Sequence, residues 1–173
     1  MKKCWIILLI ILLFTGCGQT ETLETVQDVC IQPVSAPAQQ ILLELPKDAA
    51  VPALQSEETG LFYDCGMYTV TVQTLPAGDL DKTVRTVSGF SVDALALMQT
   101  QQGNCQRYTF VWSAAGEGQQ QVGRACILDD GNFHYVVTAM APADSAGDLA
   151  ASWQALFSSL RVVSADAVVS TGS

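Results

Sequence analysis

Apolar and polar residues alternate with a period of two through much of the chain. MYTVTVQTL (67–75), CQRYTFVWS (105–113), GQQQVGRACIL (118–128) and FHYVVTAM (133–140) follow this pattern, which is that of strands with two distinguishable faces. ILLEL (41–45) is a shorter strand stopped by Pro46, and ALALMQTQ (94–101) begins the run of four strands that closes the sheet. Gly103-Asn104 and Asp130-Gly131 supply hairpin turns within that run. The polar stretch between the first two strands, with its prolines and glutamates, reads as a loop. Two segments switch to helical spacing. Leu80, Val84 and Val87 follow Asp79, a capping residue, and end at Gly89. Leu149, Trp153, Leu156, Phe157 and Leu160 form one apolar face after Asp144. Arg161-Val162-Val163 adds a final edge strand.

Register turns this pattern into a fold. A hairpin loop at Ala114-Ala115-Gly116-Glu117 sets Ser113 opposite Gly118. Threading the meander from there collects Leu95, Leu97, Tyr108, Phe110, Trp112, Ile127 and Val136 on one face of the sheet. The other face collects Met98, Val111, Val122, Leu128, Phe133, Tyr135 and Val137. A sheet apolar on both sides needs cover on both sides, and the two amphipathic helices provide it. The expectation is an α+β fold: an antiparallel meander sheet covered by two helices. The same register places Cys105 opposite Cys126 within disulfide range, although it also sets Arg107 opposite Arg124, an unfavourable pair.

The N-terminus has a different pattern. Lys2 and Lys3 precede the unbroken apolar run CWIILLIILLF (4–14). As a helix this run rises roughly 16 Å, about half of a hydrocarbon core, which suits a secretion signal and not a spanning helix. Phe14-Thr15-Gly16-Cys17 then resembles the lipobox of bacterial lipoproteins, with Phe14 where Leu is usual. That resemblance implies a diacylglycerol on the Cys17 thiol, cleavage after Gly16, and acylation (palmitate or a similar chain) of the new amino terminus. It divides the chain into a signal peptide (1–16), a tether (17–40), a domain (41–163) and a tail (164–173). With Cys4 removed and Cys17 acylated, Cys30, Cys65, Cys105 and Cys126 remain. An even number outside the cytoplasm permits two disulfides, Cys105–Cys126 by register and Cys30–Cys65 by elimination; four buried free thiols are the alternative.

The apolar run carries much of the mean hydropathy of +0.28. The formal charge is −9, from 8 Lys+Arg against 17 Asp+Glu, and loss of the leader with its two lysines would take it to about −11. Such a surface repels nucleic-acid backbones, so no nucleic-acid partner is expected.

Little of the chain suggests chemistry. His134 is the only histidine, so a Ser-His-Asp or Cys-His scheme would have to use it. Its place in a strand, beside Asp129 and Asp130, reads better as a packed, hydrogen-bonded histidine. Asp129-Asp130-Gly131-Asn132 lacks the length and the later glutamate of a calcium loop, and AAGEG (114–118) opens no helix and has no following lysine. No cofactor and no metal are expected. Tyr108, Phe110 and Trp112 alternate as a core face does, and would line a ligand groove only if no helix covered them.

The element order and the closing stretch W-x-x-L-F-x-S-L (153–160) resemble the PsbP-like and DcrB-like domains. The resemblance implies an antiparallel sheet between helices and an accessory or binding role at a membrane. The sequence therefore leads to a noncatalytic module, lipid-anchored on the extracytoplasmic face of a bacterial membrane. Its expected partner is another envelope protein, with a small apolar ligand as the lesser alternative. The rival is a small hydrolase-like envelope enzyme built on His134.

Overall fold

A computed structural model describes residues 37–47, 49–50, 55–56, 60–116 and 118–164. The expected Cys17 lipidation site and Cys30 lie outside the described residues. Among these, no helix is long and apolar enough to cross a membrane.

The fold is α+β. Strands β2 (Gln55–Ser56), β3 (Gly60–Asp64), β4 (Thr69–Pro76), β5 (Met98–Gln102), β6 (Cys105–Ala115), β7 (Gln120–Asp129) and β8 (Phe133–Pro142) form one antiparallel sheet in the order β2-β3-β4-β8-β7-β6-β5. Helix α1 (Leu80–Ser88) connects β4 to a short 3-10 turn before β5, and helix α2 (Ala150–Ser159) follows β8. Strands β1 (Gln40–Leu42) and β9 (Arg161–Val163) pair only with each other.

Local chemistry sets α1 as the sequence suggests. Asp79 accepts from the Asp81 N–H at 3.0 Å, Gly89 adopts the left-handed φ of 79° and returns its N–H to the Arg85 carbonyl, and Arg85 pairs with Asp81 one turn away. Val84 is fully buried against Phe110, Ile127 and Val136. On the opposite face, Trp153, Leu156, Phe157 and Leu160 of α2 and its end pack with Cys126, Leu128, Tyr135 and Val137. Each face thus has its helix, and full burial of one such large apolar side chain is worth roughly 1.5–3 kcal/mol.

The structure corrects the β6–β7 register. Ser113 faces Val122, not Gly118, and the strands run on to Ala115 and Gln120. Gly118 has a φ of 87°, which belongs to a loop and not to a ladder. The shift also separates the arginines: Arg107 faces Leu128 and Arg124 faces Val111. It separates the cysteines too. Cys126 faces Thr109 and Cys105 faces Gln102, so the expected Cys105–Cys126 partners stand four ladder positions apart, roughly 13 Å along the strand. That exceeds disulfide reach. Cys105 and Cys126 are free buried thiols, and Cys65 is buried near the end of β3.

Because the register moved by an even step, the expected faces persist with two exceptions. Met98 and Val111 are 64% and 55% exposed, lying beyond the cover of α2. The strand ALALMQTQ is shortened to β5, with a 3-10 turn at Val92–Ala94 before it. The second helix starts at Ala150, after a run of turns following Asp144. Strand β3 occupies part of the expected loop, and β1 leaves the main sheet to lie with β9.

Candidate functional site

The departure of β1 from the main sheet leaves a groove at one side of it. Chain 39–45 runs over the face that α2 covers elsewhere, alongside β3 and β4. Ile41, Leu43 and Leu45, spaced two apart, form one wall; Leu61, Tyr63 and Val72 form the facing one. The groove between them has a volume of about 710 Å³, within the ordinary range for small-molecule sites. Gln39, Gln40, Gln73 and Thr74 complete the lining with Gly60, and no described lining residue is charged. Gly60 has a φ of 78°, and a Cβ there would collide with the Val72 carbonyl, so the rim at that point is bare backbone.

The outer wall is held mainly by backbone donors. The Gln39 N–H donates to the Tyr135 hydroxyl at 2.9 Å, the Glu44 N–H to Ser159 Oγ at 2.9 Å, and the Ala50 N–H to the Asp64 carbonyl at 2.8 Å. The β1–β9 ladder adds a fourth attachment. Ile41, Leu43 and Leu45 are partly buried against the core beneath α2 and also line the groove. At the Gln39 end stands a polar node: Tyr135 donates to Asp130 Oδ2 at 2.8 Å, and Gln39 Nε2 donates to the same oxygen at 3.0 Å. Burial raises the Asp130 pKa, but the N–H groups of Asn132 and Phe133, with Tyr135 and Gln39, bring it below the usual carboxylate value. Burial, reinforced by the Asp130 carboxylate, pushes the Tyr135 hydroxyl up to about 12. A smaller hollow of about 240 Å³ lies beside Gln39, Cys105 and Arg161.

The candidates expected to carry chemistry fall elsewhere. His134 is 1% exposed beneath α1. Its Nδ1 is 2.8 Å from the buried Thr83 hydroxyl, and its Nε2 is 3.7 Å from Asp129 Oδ2. The order hydroxyl–imidazole–carboxylate is that of a nucleophilic triad, yet both the hydroxyl and the ring are enclosed between helix and sheet. The Thr83 contact joins positions 51 apart in sequence, and no local pattern announced it. Asp129 Oδ1 accepts from the Gly131 N–H, and Asp130 Oδ1 from the Asn132 and Phe133 N–H groups, as in a side-chain-closed turn. Among the described residues, no group of three or more His, Cys, Asp or Glu is placed to hold a metal. Phe110 and Trp112 are buried with Val84 of α1, so this aromatic stripe is core.

Arg107 and Arg124 meet at the C-terminal part of α2. Arg107 donates to the Phe157 carbonyl at 2.7 Å and to Gln102 Oε1, while the Arg124 guanidinium lies 5.1 Å from the centre of the Phe157 ring. Burial pushes the nearby Cys126 thiol up to about 11, and the two cations oppose that rise.

An α+β domain with a helix on each sheet face, and at one side a groove whose described lining residues are uncharged, is thus the class defined by the geometry. No family model matches the chain, and no curated protein matches it. Among solved structures, the chain is similar to LpqN, described as involved in cell envelope biogenesis of Mycobacterium tuberculosis, with 16% identity and a TM-score of 0.49, covering 74% of this chain and 86% of that one.

Proposed function

We propose that this protein is a noncatalytic binding module, lipid-anchored through Cys17 on the extracytoplasmic face of a bacterial membrane, with the groove between chain 39–45 and β3–β4 as its binding site. The observation that carries the binding reading is the 710 Å³ groove with its apolar walls and its uncharged described lining. Such a concavity suits an occupant that enters it, a small ligand or a projecting segment of an envelope protein, better than a flat interface. The anchoring part rests on the apolar leader and on Phe14-Thr15-Gly16-Cys17. Two or more acyl chains at one cysteine hold a protein durably on a bilayer where one would not.

A photo-crosslinking residue at Leu43 tests the site in living cells. It should yield a discrete adduct that the same residue at exposed Lys82 does not; equal yields would overturn the assignment. Cys17→Ser should move the protein from the membrane fraction to the soluble one, and unchanged retention would overturn the anchor.

The Thr83–His134–Asp129 array is the observation that favours the enzymatic alternative. Its enclosure weighs against that reading, since a general base has to reach the proton it moves. His134→Gln keeps a hydrogen-bonding group; loss of cellular function in this variant at undiminished protein level would restore the enzyme reading.

A further inference from the structure

We infer that β5 is an interaction edge that pairs, antiparallel and about a two-fold axis, with β5 of a second copy of this chain. This contact is independent of the groove.

The main sheet ends in two unlike edges. At one, β2 has two residues and is followed in sequence by Glu57-Glu58; shortness and charge are the usual protections of an edge. At the other, β5 has five residues, MQTQQ, and Met98, Gln99, Thr100 and Gln101 are exposed. Residues 94–106 include no charge and no proline, the β5–β6 register is unbroken by a bulge, and no described strand pairs with the outer side of β5.

Backbone geometry says what that outer side offers. Gly103-Asn104 joins β5 to β6 as a two-residue turn, which closes on Gln102 and Cys105 as a hydrogen-bonded pair. By alternation, the backbone groups of Thr100 and Met98 also face β6, and the N–H and C=O of Gln99 and Gln101 point outward. An identical strand laid antiparallel about an axis at Thr100 sets each Gln99 opposite the partner's Gln101, so that the two exchange both backbone bonds. The two Thr100 residues then meet as a non-hydrogen-bonded pair, with Cα atoms about 4.5 Å apart.

The side chains are self-complementary in the same register. Gln99 Nε2 donates to Gln106 Oε1 at 3.1 Å, Gln106 Nε2 to Gln101 Oε1 at 2.6 Å, and Gln101 Nε2 to the Gly103 carbonyl at 3.0 Å. This ladder leaves Gln99 Oε1 to accept and the second hydrogen of Gln101 Nε2 to donate, and the axis brings those two groups together on both sides. Charge favours the same occupant. With a formal charge of −9, two copies repel over most of their surface and can approach through an uncharged strand. A charged partner strand would find no counter-charge on β5, whereas an identical one needs none. A ladder of this length buries less than the roughly 1,200 Å² of a stable complex, so the pair forms and separates readily.

A covalent trap in membranes of cells producing the full-length protein tests the pairing. Thr100→Cys, its thiols oxidised by copper phenanthroline, should give a disulfide-linked dimer at a yield at least tenfold above that of Lys82→Cys, which is exposed on α1. Adding Gln99→Lys and Gln101→Lys sets like charges opposite one another and should lower the yield at least tenfold, with a cooperative thermal transition retained. Coexpressing that chain with one carrying Gln99→Glu and Gln101→Glu, both with Thr100→Cys, should restore a mixed dimer. No dimer from Thr100→Cys, or an equal yield from Lys82→Cys, would overturn the pairing. A dimer indifferent to the lysines, or one that the glutamates do not restore, would overturn the β5 ladder. A disulfide adduct with a different protein in place of the dimer would overturn the second copy as occupant.

Discussion

The backbone N–H of Gln39 donates to the hydroxyl of Tyr135 at 2.9 Å, joining positions 96 apart in sequence. Through this bond and the shared acceptor Asp130, the first residues of the groove wall are fastened to the β7–β8 turn. Tyr135→Phe keeps the ring in the core and removes the hydroxyl. It should lower stability by about 1–2 kcal/mol, since a partly buried donor loses its partner. Hydrogen exchange should quicken at residues 39–45 more than in β7; equal quickening in both would show that the hydroxyl does not hold the wall.

The same node predicts a stability profile with two flanks. The folded pKa of Asp130 is depressed by its hydrogen bonds despite burial, so the folded state holds this proton more weakly than the unfolded chain does. Its contribution is therefore present above the ordinary aspartate value of about 4 and is lost as pH falls through the lower folded value. Tyr135 behaves oppositely. Its pKa is raised to about 12, chiefly by burial, so its contribution is complete below about pH 10 and is lost as pH rises toward the folded value. Urea midpoints measured across pH should show Asp130→Asn flattening the acid limb and Tyr135→Phe flattening the alkaline one. An acid limb unchanged by Asp130→Asn would contradict the assignment.

Helix α1 and both sheet faces were legible in the sequence, because they depend on short-range chemistry. Asp79 and Gly89 cap α1 within a turn of the residues they serve, and an even-numbered register error leaves every side chain on its own face. What depends on register itself was not legible. The expected opposition of Cys105 and Cys126 failed because the ladder continues past Ser113 to Ala115 and Gln120. Nor did alternation reveal that GLFYD would pair as β3, or that β1 would find β9 at the other end of the domain. The groove follows from that last, long-range pairing, so a list of apolar positions could not contain it. His134 was expected to be packed and is, but its partner Thr83 comes from the helix laid over it.

Arg107 links the β5–β6 hairpin to α2 through Gln102 and the Phe157 carbonyl. Arg107→Met retains the aliphatic packing and deletes both contacts, and should destabilise by roughly 1.5–3 kcal/mol, as for bonds made by a charged donor. Arg107→Lys should recover only part of this, because one ammonium does not reproduce the planar fork that reaches two acceptors. Removing the cation should also raise the Cys126 pKa further, since Arg107 opposes the rise due to burial. Chemical denaturation of the two variants, with the ultraviolet absorbance of the Cys126 thiolate followed across alkaline pH against a Cys126→Ala reference, measures both effects. Full rescue by Lys would reduce Arg107 to a simple point charge.

Gly123 faces Trp112 across the β6–β7 ladder, and the indole occupies the space where a Cβ on residue 123 would stand. Trp112 is 4% exposed and packs with Phe110 at a ring separation of 5.6 Å. Its ring cannot retreat without disturbing the core beneath α1. Gly123→Ala would ordinarily gain from reduced freedom of the unfolded chain, but here the added methyl meets an aromatic ring on a rigid strand. The expected net effect is destabilisation by about 1–3 kcal/mol, the usual cost of overpacking, with a change in near-ultraviolet circular dichroism as the indole shifts. Trp112→Leu in the same background supplies the control. It should relieve the clash, so that Gly123→Ala costs less in Trp112→Leu than in the parent protein, and a double-mutant cycle reads the coupling directly. Additive effects would mean that the close approach of Gly123 and Trp112 does not govern packing on this face.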